Sequence, residues 1–259
     1  MATAATSVES GRPGPEKAAA WQRELAGSAP EAVLAWAAQT FGDRVVFGSS
    51  LGAEDQVLVH MIATVKLQIP VFTLDTGRLF AESYDLMAQT EERYGIRLQV
   101  FCPDAAEVEA LVAEHGPNLF RKSVALRRLC CEVRKIHPLR RALAGKAAWI
   151  CGLRADQSMT RSSLQVVEWD AANGLFKISP LAGWTDAAVW SFVRTHQVPC
   201  NPLHERGYPS IGCACCTRAV APGEDVRAGR WSWETPEKKE CGLHAHAAAS
   251  AARSACVSG

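Results

Sequence analysis

The chain has 259 residues, 48% of them hydrophobic and 21% charged, which is enough to bury a full core and suits one larger α/β domain with a functional tail. Lys and Arg number 28 against 27 Asp and Glu, a formal charge of +1, and this argues against a broad nucleic-acid footprint, which rests on clustered phosphate neutralisation. No run of about 18 apolar residues is present, and residues 1–17 carry Pro, Gly and acidic groups where a signal peptide would have cationic and apolar parts, so a cytoplasmic protein is expected.

In chain order, residues 1–15 are small and weakly patterned and are expected to be disordered. Helical patterns over 16–25 and 30–40 precede an apolar strand at 44–47, which ends in Gly-Ser-Ser and opens into a helix over 54–65. The theme repeats with a strand at 71–74, a helix over 80–94, a strand at 97–101 and a helix over 105–115. A long basic helix is expected over 121–136 and a further strand at 148–151. Ala-Ala-Asn-Gly at 171–174 has the composition of a hairpin turn, between strands at 164–168 and 175–178, followed by a helix over 186–196. Short apolar strands alternating with helices imply a mainly parallel twisted sheet with helices on both faces, here with an antiparallel edge. The stretch beyond is rich in Pro, Gly, Cys, Arg and Trp without a period, a pattern more often functional than structural. The expected organisation is a disordered 1–15, an α/β domain over 16–216, a C-terminal segment over 217–244 and a disordered tail over 245–259.

In an open α/β sheet the ligand lies beyond the carboxyl ends of the strands. Three such ends combine Gly with hydroxyl or Arg residues: Gly48-Ser49-Ser50-Leu51-Gly52, Leu74-Asp75-Thr76-Gly77-Arg78, and Gly152-Leu153-Arg154 running on to Arg161. One Ser/Gly turn that caps a helix proves little, but three on one sheet edge favour an anionic ligand. Neither a Walker A loop nor a dinucleotide fingerprint is present.

Ten cysteines in a cytoplasmic chain point away from disulfides and toward metal or thiol chemistry. Cys130-Cys131 is followed, 82 residues after Cys131 (213 − 131), by Cys213-Ala-Cys-Cys216. Two thiolate pairs suit Zn²⁺ or an iron–sulfur cluster, and adjacent ligands favour the larger cluster modestly. Cys241 follows Lys238-Lys239-Glu240 and precedes His244 by three. A nucleophilic thiolate, a bystander tail thiol and half of a Cys-x-x-His zinc pair all fit that spacing.

Together these motifs resemble the adenylyl-sulfate and phosphoadenylyl-sulfate reductase family, in particular its cluster-bearing branch, from about Arg44 to His244. The resemblance rests on Ser-Ser-Leu-Gly-Ala-Glu-Asp, Leu-Asp-Thr-Gly-Arg, Cys-Cys-Glu-Val-Arg-Lys, Gly-Leu-Arg-Ala-Asp-Gln-Ser, Asn201-Pro-Leu-His204, Cys-x-x-Cys and Lys-Lys-Glu-Cys-Gly-Leu-His. It implies a fold similar to the adenine-nucleotide α-hydrolases, a [4Fe–4S] cluster on Cys130, Cys131, Cys213 and Cys216, and Cys241 as nucleophile. It implies a substrate site drawn from Ser49, Ser50, Gly52, Leu74, Thr76 and Gly152, with Lys135, Arg161, Arg227, Arg230 and His244 around the phosphosulfate of adenosine 5′-phosphosulfate. Thioredoxin, or glutaredoxin in its place, is the implied thiol partner, and a homo-oligomer is compatible with it. Two positions depart from the pattern: Cys200 stands where an aromatic is usual, and Cys215 adds a thiol inside Cys-x-x-Cys. The rival readings are reduction of the 3′-phosphorylated nucleotide, a zinc-stabilised nucleic-acid module, and an RNA-thiolating enzyme, which would need a glycine-richer loop. If a 3′-phosphate is bound, Arg78 and Arg154 are the arginines left to meet it.

Overall fold

The computed structural model describes residues 14–157, 164–235 and Leu243. Two helices open it, α1 (Pro15–Leu25) and α2 (Pro30–Phe41), each with proline in the first turn, where the missing N–H has no helical partner to lose. Strands and helices then alternate: β1 (Val45–Ser49), α3 (Ala53–Thr64), β2 (Val71–Leu74), α4 (Ala81–Tyr94), β3 (Gln99–Phe101) and α5 (Ala105–His115). A helical rod follows, α6 (Val124–Cys131) and α7 (His137–Leu143) joined by a π turn (Glu132–Ile136), and leads into β4 (Ala148–Ile150). The hairpin β5 (Val167–Asp170) and β6 (Leu175–Ile178) and the helix α8 (Asp186–His196) complete the regular structure.

The six strands form one sheet in the order β3-β2-β1-β4-β6-β5. Every neighbouring pair is parallel except β5 and β6. Successive side chains of a strand face opposite ways, so Val45 and Phe47 enter one apolar cluster, with residues of α1, α2, α3 and α8, while Val46 enters another with Leu139, Ala142 and Leu143 of α7. In β4 the same alternation sends Ala148 and Ile150 one way and Trp149 the other. Trp21 meets Trp36, Phe41 and Phe176 edge-on at centroid distances of 5.2, 5.5 and 4.6 Å, which pins α1 to the sheet through β6. The expected α/β class and parallel sheet with an antiparallel edge are what the structure has. No helix among the described residues is long and apolar enough to cross a membrane.

Two elements differ from expectation. The basic helix starts at Val124, where Ser123 Oγ caps it by accepting from Leu126 N, and continues through the π turn to Leu143. Pro138 explains the widened turn: it has no N–H to donate to the carbonyl of Arg134, and His137 N donates to Glu132 O, five residues back. The first hairpin strand is 167–170, not 164–168, because Asp170 closes the turn itself. Its carbonyl accepts from Gly174 N at 2.7 Å and its carboxylate from Asn173, so pairing starts at Asp170 opposite Leu175. The ends expected to be disordered, apart from the residues at 14 and 15, lie outside the described residues.

Candidate functional site

The chain winds outward from β1 on both sides, to β2 and β3 one way and to β4 and β6 the other. The crevice beyond the carboxyl ends of β1 and β4 is therefore the switch point of the sheet. A cavity of about 560 Å³ opens there, within the usual range for a small-molecule site. Ser49 at the end of β1 with Ser50 and Gly52 beyond it, Leu74 at the end of β2 with Thr76 beyond it, Gly152 after β4, Lys135 of the π turn, and Arg227 and Arg230 all line it. The structure thus brings these expected substrate residues together. Arg161, Cys241 and His244 lie outside the described residues, but Leu243, two positions after Cys241, is described and lines the same cavity.

The phosphate-type loop is held from below by a residue that sequence reading passed over. Asp55 is buried, and its carboxylate accepts from Ser50 N at 2.6 Å, Ser50 Oγ at 2.7 Å and Gly152 N at 3.0 Å. It joins the loop after β1 to the loop after β4. Gly152 has to be glycine for this contact, since a Cβ there would collide with the Asp55 carboxylate. Burial pushes the Asp55 carboxyl up to about 6, against the hydrogen bonds from Ser50. Ser50 lines the cavity with its amide and hydroxyl protons both donated to Asp55.

Arg154 is corrected too. Its side chain is 5% exposed and ion-paired with Glu54, Asp156 and Asp186 at 2.9, 3.3 and 3.1 Å. Three carboxylates around one guanidinium leave that end of the cavity acidic, so Arg154 is no receptor for a 3′-phosphate. Arg78 is likewise engaged: it donates to Pro117 O, lies over the Phe120 ring and reaches Cys215 Sγ.

Cys130, Cys131, Cys213 and Cys216 are each 8% exposed and line a second, smaller cavity. Lys135, Cys213, Arg230 and Trp231 line both cavities, so thiols and nucleotide-sized space share one wall. Thr76 Oγ1 is 3.2 Å from Cys213 Sγ, which binds the loop after β2 to the same wall. Arg134 Nε and Trp231 Nε1, both on residues of the thiol cavity, are buried with no hydrogen-bond partner among the described residues. Buried unsatisfied donors beside four thiols suit an anionic, sulfur-rich group. Among the described residues no three His, Cys, Asp or Glu donors are set to hold a single metal ion. Burial raises the Cys130 thiol, with Arg134 opposing. Cys215 lies 3.8 Å from Cys216 and is held low by that contact and by Arg78, while Cys200 is far from the thiols' cluster, pushed up to about 12 by burial and by Glu54.

Sequence reading also missed Arg127 and Glu234, which form a bidentate pair with side chains 0% and 2% exposed. The available signal was Arg127 standing three residues before Cys130 on the same helix face.

The model of the phosphoadenosine phosphosulfate reductase domain matches residues 44–219. The adenosine 5′-phosphosulfate reductase of Allochromatium vinosum is 56% identical over 202 residues, covering 78% of this chain and 79% of the relative. That of Neisseria meningitidis is 42% identical over 239 residues, covering 88% and 97%. Among solved structures, phosphoadenylyl-sulfate reductase from Candida auris in a phosphate complex superposes with a TM-score of 0.69 at 28% identity, covering 80% of this chain and 98% of that one.

Asp55 gives a pH prediction. Its folded-state pKa is raised above the ordinary value of 3.8 to about 6, so its protonated form favours the fold, and that contribution, full below about 4, is lost as pH rises through about 6. Relative to Asp55→Asn, the unaltered chain should lose roughly 3 kcal/mol between these limits. Urea unfolding of both proteins at half-unit steps from pH 4 to 7 measures this, and parallel profiles would rule it out.

Proposed function

This chain belongs to the phosphoadenosine phosphosulfate reductase family, and from that premise we propose that it reduces adenosine 5′-phosphosulfate to sulfite and AMP in sulfate assimilation, with thioredoxin as electron donor. The observation that carries the reading is the shared wall: a cation-lined cavity at the switch point abuts a four-thiol cavity through Lys135, Cys213, Arg230 and Trp231.

The proposed chemistry starts with the Cys241 thiolate attacking the sulfur of the phosphosulfate in line. A sulfur–sulfur bond forms, the bond from sulfur to the phosphate oxygen breaks, and AMP leaves with that electron pair. Lys135, Arg227 and Arg230 border the cavity and are suited to the charge that grows on the leaving phosphate and the sulfonate oxygens. Arg161 and His244 are assigned the same task by family resemblance. A thioredoxin thiolate then attacks Cys241 Sγ and expels sulfite, and the second thioredoxin thiol regenerates Cys241 and closes the partner's disulfide. The substrate supplies the oxidant and thioredoxin the two electrons.

Cys130, Cys131, Cys213 and Cys216 are the proposed holders of a [4Fe–4S] cluster. When bound, such a cluster supplies iron sites that the thiolates saturate and sulfide charge that neighbouring cations balance. Arg78, Arg134, Lys135 and Arg230 already surround the thiols.

The acidic setting of Arg154 supports the unphosphorylated nucleotide over its 3′-phosphorylated form. We expect kcat/KM to favour adenosine 5′-phosphosulfate by at least about tenfold, roughly 1.4 kcal/mol. Sulfite release from both nucleotides, side by side at fixed thioredoxin and ionic strength, tests this, and equal values would defeat the preference. In the same assay Cys241→Ser should release no sulfite while keeping its iron, because a hydroxyl is a poor nucleophile toward sulfur. Loss of iron from that variant would contradict its role. Cys131→Ser should lower iron content and thermal stability together, since metal–ligand free energy adds to folding. An unchanged iron-to-protein ratio would show that Cys131 is no ligand.

A further inference from the structure

Past Cys216 the chain folds back on itself: Thr217 bridges antiparallel to Arg230, and Arg218 N donates to Gly229 O at 3.0 Å. This segment carries Arg227 and Arg230 to the cavity, and two contacts fasten its far end. Trp231 N donates to Cys216 O at 3.0 Å, and Glu234 N donates back to Trp231 O at 2.8 Å. The second contact orients the Glu234 carboxylate toward α6. There Arg127 meets it with Nε at 2.9 Å and Nη2 at 2.8 Å, a fork-to-fork pair out of solvent.

The pair belongs to a larger stack. Two guanidinium groups lie over the Trp231 ring, with Arg127 Cζ 4.6 Å and Arg230 Cζ 4.8 Å from its centroid. Trp231 also holds a left-handed backbone, φ 40°, which a tryptophan adopts only where surroundings impose it. Arg127 precedes Cys130 and Cys131 by three and four residues and so projects from the same face of α6. One chain of contacts therefore runs from the thiol-bearing helix through Arg127 to Glu234, and through Trp231 to Arg230 in the nucleotide cavity. Nothing else described ties Glu234 to α6 with an ion pair.

We propose that the Arg127–Glu234 pair is a latch that holds the 217–235 segment, with Arg227 and Arg230, against the thiol-bearing helix, and that both are positioning residues for the reductase site. Taking the Glu234 carboxylate away from the buried Arg127 guanidinium is strongly disfavoured. The segment's own bonds to the rest of the fold are few, so the least costly relief is to undock it and let water reach Arg127, rather than to unfold the sheet.

The inference rests on the reductase reading only for its kinetic arm. Trypsin cuts after arginine, so cleavage at Arg227 and Arg230, followed by mass spectrometry of the full chain, reports docking without any substrate. Cleavage there should be at least about tenfold faster in Glu234→Gln than in the unaltered chain, with Glu234→Asp, which keeps the charge, in between. The iron-to-protein ratio should be that of the unaltered chain. In sulfite assays the KM for adenosine 5′-phosphosulfate should rise in the same order as the cleavage rate. A flat digestion series, loss of iron with Glu234→Gln, or faster digestion with unmoved kinetics would each overturn the latch. If the unaltered chain releases no sulfite, the reductase reading falls, while the digestion series still decides whether the pair holds the segment.

Discussion

A carboxylate buried at the end of a sheet fixes the geometry on which this site depends. Asp55 receives three donors from two loops that leave neighbouring strands, and in doing so sets the distance between the loop after β1 and the loop after β4. Parallel strands leave such loops side by side but do not hold them in register with one another. The tie is made by hydrogen bonds in a low-dielectric place, where they are strong and their absence is costly. The cavity exists with this outline because the two loops cannot drift apart. The acid is not an independent feature of the helix start; it is the floor of the crevice.

Above that floor the charges are sorted. The chain as a whole is nearly neutral, yet Arg78, Arg134, Lys135 and Arg230 surround the thiols while Glu54, Asp156 and Asp186 surround Arg154 at the other side of the crevice. A field with one positive and one negative end gives an elongated anion a preferred direction before any hydrogen bond forms. At the acidic end an arginine that composition would count as available is balanced by three carboxylates.

The elements legible in the sequence were those decided locally. β2, α5 and α8 were read to the residue, because alternation, caps and flanking turns all lie within the segment. The helix through 124–143 was read too short, since a π turn is a response to Pro138 that only three-dimensional hydrogen bonding reveals. The hairpin slipped because Asp170 both pairs with Leu175 as a strand residue and closes the turn, although its position looks like loop. At the site, the loops and the paired cysteines were visible as motifs, and the structure gathers them. Their supports were not visible. Arg154 finds Glu54 a hundred residues away, Arg127 finds Glu234 107 away and Gly152 finds Asp55 97 away, separations at which no periodicity carries a signal.

The strand order has a consequence for biosynthesis. β1 lies inside the sheet, with β2 on one edge and β4 on the other, yet the residue opposite Val45 is Ala148, 103 positions later (148 − 45). At about 5–20 residues per second, one flank of β1 waits on the order of 5–20 s for its partner to leave the ribosome. During that time Val45, Val46 and Phe47, all buried in the finished fold, present an apolar strand edge with unpaired amides to whatever is nearby.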